Sequence, residues 1–141
     1  LRINLYDILF IMRTLITIHA LAEYNGKYLV LKRSDHRSNP GYWNCVTGHV
    51  KEHETAEEAA IRELKEETNL DGDIVKTADP LIHNTKDQRW IILAYMIKVS
   101  DITQIKIDEK KKKNHRWIEL NDELVNKYVG LKETLRILGL L

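Results

Sequence analysis

The residues in this chain whose types and spacing suit chemistry are Glu54, Arg62, Glu63, Glu66 and Glu67. Glu63, Glu66 and Glu67 stand at i, i+3 and i+4, so on a helix they fall on adjacent turns. Like charges at that spacing repel by roughly 0.2–0.5 kcal/mol per pair. A divalent cation reverses the sign of that interaction, because hard cations prefer carboxylate oxygens. The chemistry in prospect is therefore metal-assisted. Read as plain surface chemistry, the same segment is a salt-bridged, solvated helix, since Arg62 lies four residues from both Glu58 and Glu66.

The helix that carries these acids is expected over residues 55–68. Thr55 is a good N-cap and Glu58 follows three residues later, as in a capping box. Ala56, Ala60 and Leu64 give the buried stripe. At about 100° per residue, Glu67 projects within about 20° of Ala60 and Glu63 within about 60°, with Glu66 further round on the Ala59 side. The three acids border the core rather than the solvent face, whereas Glu57, Glu58 and Lys65 point to water. A carboxylate so placed must be paired, bind a cation or take up a proton. The loop at Gly48 precedes the helix, and a small residue there lets backbone approach a phosphate or its metal.

The run from Gly48 to Leu70 resembles the Nudix box, G-x5-E-x7-R-E-U-x-E-E-x-G-U, where U is a bulky aliphatic. Gly48, Glu54, Arg62, Glu63, Leu64, Glu66, Glu67 and Leu70 match in register. Asn69 stands where the pattern ends on glycine. Asn tolerates the left-handed conformation that ends a helix, so the backbone role is expected to survive.

The resemblance implies an α/β chain with the Nudix fold, an α/β/α sandwich around a mixed β-sheet. It also implies a hydrolase that cleaves a pyrophosphate bond in a nucleoside triphosphate or another nucleoside diphosphate-linked compound. Mg²⁺ or Mn²⁺ is the implied cofactor and a small nucleotide the implied partner. Carried over by position, Glu66 and Glu67 are the leading metal ligands, and Glu63 is a third ligand or the general base. Arg62 orients a box glutamate. Glu54 binds metal through water or supports the loop, and Thr47 or Gly48 offers a backbone carbonyl. The competing expectation on the same fold is a nucleotide-binding module without catalysis.

Outside the box the signals are shorter. Lys32 and Arg33 end a strand, and Arg33 resembles a basic residue that meets substrate phosphate in MutT-like members. His49 is expected beside the site. Tyr42, Trp43 and Trp90 offer faces for a base, and equally serve as packing. Asp108 and Glu109 could add an acid from a late loop or be a plain charged loop, and Lys110 to Lys113 could attract phosphates or be a solvated charge run. Trp43-Asn44-Cys45-Val46-Thr47-Gly48 and His115-Arg116-Trp117-Ile118 resemble the dihydroneopterin triphosphate and dATP pyrophosphatase branch of the family.

The whole chain sets bounds on this reading. Its 141 residues suit one domain with one sizeable core. A domain is expected over residues 12–141, preceded by an extension over residues 1–11. Lysine and arginine total 22 against 21 acids, so no bulk attraction to nucleic acid or membrane is expected. Cys45 is alone, which excludes an internal disulfide framework and a thiolate zinc cluster; it reads as a small buried hydrophobe. Residues 1–22 imitate a signal peptide, but Arg13 interrupts the apolar run, and a cytoplasmic location is expected.

The elements that must position the site follow from pattern. Strands are expected over 15–21, 28–32, 43–47, 74–76, 80–83, 90–99 and 115–118. Asn25-Gly26 is a hairpin turn signal. Residues 34–41 and 106–114 are expected to be loops, with a turn at Asp87-Gln88. Residues 121–138 hold one or two amphipathic helices broken near Gly130. The leucine-rich end at 135–141 suits either the core or a homodimer interface.

Overall fold

β-branched and small apolar residues alternate so evenly along the first strand that both of its faces can be buried. In the computed structural model, which describes residues 2, 4 and 13–141, this strand is β1 (Arg13–Tyr24). Residues 5–12, most of the expected extension, lie outside the described residues. Ile18, Ala20 and Ala22 of β1 join one core and Leu21 joins the other, each almost fully buried. Asn25 and Gly26 both take positive φ, 48° and 77°, as a type I′ hairpin turn requires. They lead into β2 (Lys27–Arg33).

β3 (Trp43–Asn44) pairs with β2, and β4 (Val46–His49) pairs with β1, both antiparallel. β5 (Asp73–Thr77) and β6 (Leu81–Asn84) pair antiparallel with β7 (Gln88–Lys98). β7 runs parallel to β1 from Arg13 opposite Gln88 to Glu23 opposite Lys98. β8 (Lys112–Ile118) pairs antiparallel with β2. The described residues thus form one mixed sheet of eight strands.

Helix α1 (Ala56–Thr68) covers one face of the sheet, with Ala59, Ala60 and Leu64 in the core. Burying Leu64 alone contributes about 1.5–3 kcal/mol. Thr55 caps the helix by accepting from Glu58 N at 3.1 Å. Asn69 ends it at φ 60°, ψ 20°, the left-handed cap expected of it, with its N–H on Lys65 O. The other face is covered by α2 (Glu123–Lys127) and α3 (Val129–Ile137), through Leu124, Val125, Leu131 and Leu135. The architecture is an α/β/α sandwich.

Three local expectations need correction. The break between the last two helices falls at Tyr128, which ends α2 and caps α3; Gly130 lies inside α3. Gly130 N is instead held by the Tyr42 hydroxyl at 2.9 Å. β7 begins at Gln88, and the turn before it is closed by Thr85 N on Gln88 O at 2.8 Å. The charged loop expected to Asn114 ends earlier, because β8 begins at Lys112. No helix among the described residues is long and apolar enough to cross a membrane.

Candidate active site

The site is built where β4 meets the inward side of α1. Gly48 sits against the Glu63 carboxyl group so closely that a Cβ there would overlap it. This close approach explains the glycine. The Thr17 hydroxyl donates to Gly48 O at 3.0 Å and fixes the strand end. Glu63 and Glu67, one turn apart, are 7% and 2% exposed. Glu66 differs from the expected trio, because its side chain is 42% exposed and turns to the rim. The sequence angles explain this: Glu66 lies about 100° from both Glu67 and Lys65 around the helix, between the core and the solvent face.

Arg62 ties the helix to the loop before it. Its Nε and Nη2 donate to the two Glu54 oxygens at 2.9 and 2.6 Å. Nη2 also donates to His49 O at 2.9 Å, and Nη1 donates to Glu63 Oε1 at 2.9 Å and Glu66 Oε2 at 3.2 Å. Lys51 N donates to Glu54 Oε1 at 2.7 Å. The Arg62 hydrogen bonds, helped by Lys51 N–H, pull the Glu54 carboxyl down to about 2. The same bonds, Glu54 first, hold the guanidinium above its ordinary value. Glu54 is thereby bonded to both Arg62 and the loop backbone.

Glu67 has the opposite surroundings. Its Oε2 is buried without a hydrogen-bond partner, alone in this respect among the described side-chain atoms. Burial pushes its carboxyl up to about 7; Glu63 and Asp108 add to the rise, while Lys112 and Lys111 oppose it. The nearest cation is Lys112, whose Nζ lies 4.0 Å from Oε2. Lys112 is only 4% exposed, and burial lowers its pKa against the pull of Glu67. A register shift between Lys32 and Arg33 places Lys112 opposite Arg33, an irregularity of the kind that re-aims a side chain. Asp108 O accepts from both Lys111 N and Lys112 N, and Asp108 N donates to Glu67 O at 2.9 Å. The late loop is thereby fastened to the end of α1.

A cleft of about 620 Å³ opens over these groups. Glu63 and Glu67 face it together with Arg33, Arg37, Lys51, Lys111 and Lys112. Two carboxylates within five cations suit a polyphosphate that brings its own countercharge. A smaller hollow of about 280 Å³ adjoins it on the α3 side of the sheet. Thr17, Arg33, Asn39, Thr47, Trp90 and Lys112 line both. His19 also borders the smaller hollow, and burial, then Lys112, drives its pKa down to about 4. The ring is thus neutral near pH 7.

Of the other expected residues, Arg33, Thr47, Gly48 and His49 border the cleft. Arg33 is braced by Ser38, through Nε to Ser38 O at 2.7 Å. Lys32 alternates to the opposite side of β2 from Arg33, pairing with Trp43 and Asn114, and does not line the cleft. Trp43 is 9% exposed and belongs to the core under α2 and α3, with the Arg116 guanidinium 6.0 Å from its ring. Its aromatic face serves packing, whereas Trp90 borders both hollows. Cys45 is fully buried and free, its thiol pushed up to about 12 by burial. Neither Lys112 nor His19 stands out by itself in the sequence. Lys112 was hidden in a lysine run, and His19 in a strand with no metal-ligand spacing.

The donor set fits a hard divalent cation. Among the described residues no three His, Cys, Asp or Glu side chains converge as a ready cluster. Glu63 and Glu67 supply a buried carboxylate pair, one oxygen of which lacks any partner. Gly48 leaves room for backbone beside that pair. Oxygen donors with open positions suit Mg²⁺ or Mn²⁺, which retain waters.

The family model described as NUDIX domain matches residues 12–136. Over 50 residues the chain is 46% identical to the dihydroneopterin triphosphate diphosphatase of Escherichia coli (strain K12). That match covers 36% of this chain and 31% of the relative, so it spans about a third of the relative's length. The nucleoside triphosphatase NudI of Escherichia coli O139:H28 is 28% identical over 143 residues, covering 92% of this chain and all of the relative. The crystal structure of the MutT NUDIX hydrolase from Burkholderia pseudomallei superposes with a TM-score of 0.75 at 19% identity, over 89% of this chain and 98% of that one. At that identity the likeness speaks to fold.

Proposed function

Because this chain belongs to the Nudix family, we propose that it is a metal-dependent pyrophosphohydrolase acting on a nucleoside triphosphate or a related triphosphate. The observation that carries this reading is the Glu63–Glu67 pair in a cationic cleft, with Glu67 Oε2 buried and unpartnered. Such a group is costly to a metal-free fold and is satisfied by a cation.

In this reading Glu63 and Glu67 would hold Mg²⁺ or Mn²⁺, with Glu66, now 3.2 Å from Arg62 Nη1, as a further carboxylate at the rim. The Thr47 or Gly48 carbonyl completes the protein's share of ligands, and Glu54 acts through the loop. When bound, the ion supplies charge neutralisation for the phosphates and acidifies water. Arg62 fixes Glu63 through its 2.9 Å bond, so the carboxylate keeps one orientation. Arg33, Arg37, Lys51, Lys111 and Lys112 balance the charge of the polyphosphate. Water attacks a phosphorus of the anhydride, a cleft carboxylate accepts its proton, and the bond to the leaving phosphate oxygen breaks.

A panel of nucleoside triphosphates with Mg²⁺ or Mn²⁺ tests the reading. Release of a monophosphate and pyrophosphate from at least one member is expected. Hydrolysis of none would remove its support.

A further inference from the structure

The smaller hollow beside the cleft has a floor whose hydrogen-bonding character is fixed by counting protons. His19 Nδ1 lies 2.7 Å from Thr134 Oγ1, and Thr134 Oγ1 lies 2.9 Å from Gly130 O. A carbonyl has no proton, so the threonine hydroxyl donates to Gly130 O. The proton between Thr134 and His19 must then come from Nδ1. The neutral ring therefore carries its lone pair on Nε2.

Among the described residues Nε2 has no hydrogen-bond partner. Glu67 Oε2 is the one sealed, unpartnered side-chain atom among the described residues, so Nε2 is open to the hollow that His19 borders. Around it stand groups of complementary kind. Asn44 Oδ1 accepts from Cys45 N at 2.8 Å, which turns the Asn44 amide nitrogen into the available donor. The Tyr42 hydroxyl accepts from Gly130 N at 2.9 Å, which leaves its own proton to give. Trp90 and Ile92 add aromatic and apolar surface.

We infer that this hollow takes the base of the substrate and that His19 selects it. Nε2 accepts a hydrogen bond from an edge N–H of a planar heterocycle, while Asn44 and Tyr42 donate to its ring nitrogens or carbonyl. The inference rests on the triphosphate reading above, because Arg33 and Lys112 border both hollows and stand where the phosphate nearest the base would cross. His19 is a specificity-determining residue in this arrangement. Thr134 is a positioning residue that acts only through the imidazole tautomer.

Calorimetric binding of AMP, GMP, CMP and UMP, each beside a counterpart methylated on its edge N–H, tests this without turnover. The wild-type protein is expected to prefer at least one unmethylated member by tenfold or more. His19→Leu should bring that ratio to within about twofold while the thermal midpoint and Mn²⁺ affinity stay close to wild type. Thr134→Val keeps the ring but frees its tautomer, so it should lower the ratio several-fold, and it decides the matter if His19→Leu does not fold. An unchanged ratio in the folded variants, or no binding of any monophosphate, overturns the inference. Failure of triphosphate hydrolysis with selective monophosphate binding intact would instead count against the catalytic reading alone.

Discussion

Glu54 and Glu67 belong to one short motif and share one side chain, yet the fold drives them apart. Glu54 is wrapped by Arg62 and the Lys51 N–H, and its carboxyl falls to about 2. Glu67 is sealed beneath the cleft with an unpartnered oxygen, and its carboxyl rises to about 7. Hydrogen bonds dominate the first case and desolvation the second. The difference teaches which carboxylates hold the structure together and which are left for a ligand. Glu63 stands between them, bound to Arg62 by one oxygen and facing the cleft.

The largest break in that contrast comes from Glu67→Gln. Activity should fall by at least ~10²–10³-fold, the order lost when a group acting on transition-state charge is removed. The metal-free protein should be no less stable at pH 8, because a neutral isostere escapes the cost of burying charge. Steady-state kinetics and thermal unfolding check the two halves. Next is Gly48→Ala, whose methyl overlaps the Glu63 carboxyl group and must displace it. Mn²⁺ affinity should drop by roughly 10–100-fold, as for loss of a group that orients a ligand.

Arg62→Ala attacks the Glu54 side. It removes the Arg62 bonds to both Glu54 oxygens, leaving Oε1 only the Lys51 N–H, and releases His49 O and Glu63, so unfolding free energy should fall by about 1–3 kcal/mol. Urea titration measures that loss, and a variant as stable as wild type would deny Arg62 its role.

The smallest effect sharpens the contrast through pH. Glu67 has a folded pKa raised from 4.5 to about 7, so the folded state retains a proton that the unfolded chain has lost. Its contribution to stability is present below the unfolded value and is lost as pH rises through 7. His19 runs the other way: lowered from 6.5 to about 4, it contributes stability above 6.5 that is lost as pH falls towards 4. From pH 6.5 to 8 the His19 contribution still rises by about 0.4 kcal/mol, as the unfolded imidazole loses its remaining proton. Over that window the metal-free wild-type protein should therefore lose up to about 1 kcal/mol of stability relative to Glu67→Gln, which keeps only the His19 rise. A slope identical in both proteins would refute the assignment.

Much of this site was legible in the chain. The capping at Thr55 and the left-handed end at Asn69 follow from residue type as local demands of the backbone, whereas Gly48 answers to the close approach of the Glu63 carboxyl group. The inward turn of Glu63 and Glu67 follows from helical period. Glu66, further round the helix, sits at the edge of the buried arc, and its bond to Arg62 holds it at the rim. Lys112 was not legible: its burial depends on a register shift in β8, and four successive lysines give no clue which one turns inward. Lys32 does not line the cleft and Trp43 packs into the core under α2 and α3, positions set by strand parity. The break at Tyr128 was masked by Gly130, which the Tyr42 hydroxyl accommodates inside α3.

Whether the Glu63–Glu67 pair holds a cation is measured without a substrate by Mn²⁺ titration followed by electron paramagnetic resonance. The wild-type protein should remove free Mn²⁺ from solution with at least one ion per chain, more tightly at pH 8 than at pH 6 because the ligand must lose its proton. Glu67→Gln should weaken that binding at least tenfold. Equal Mn²⁺ affinity in the wild-type protein and the variant would contradict the account.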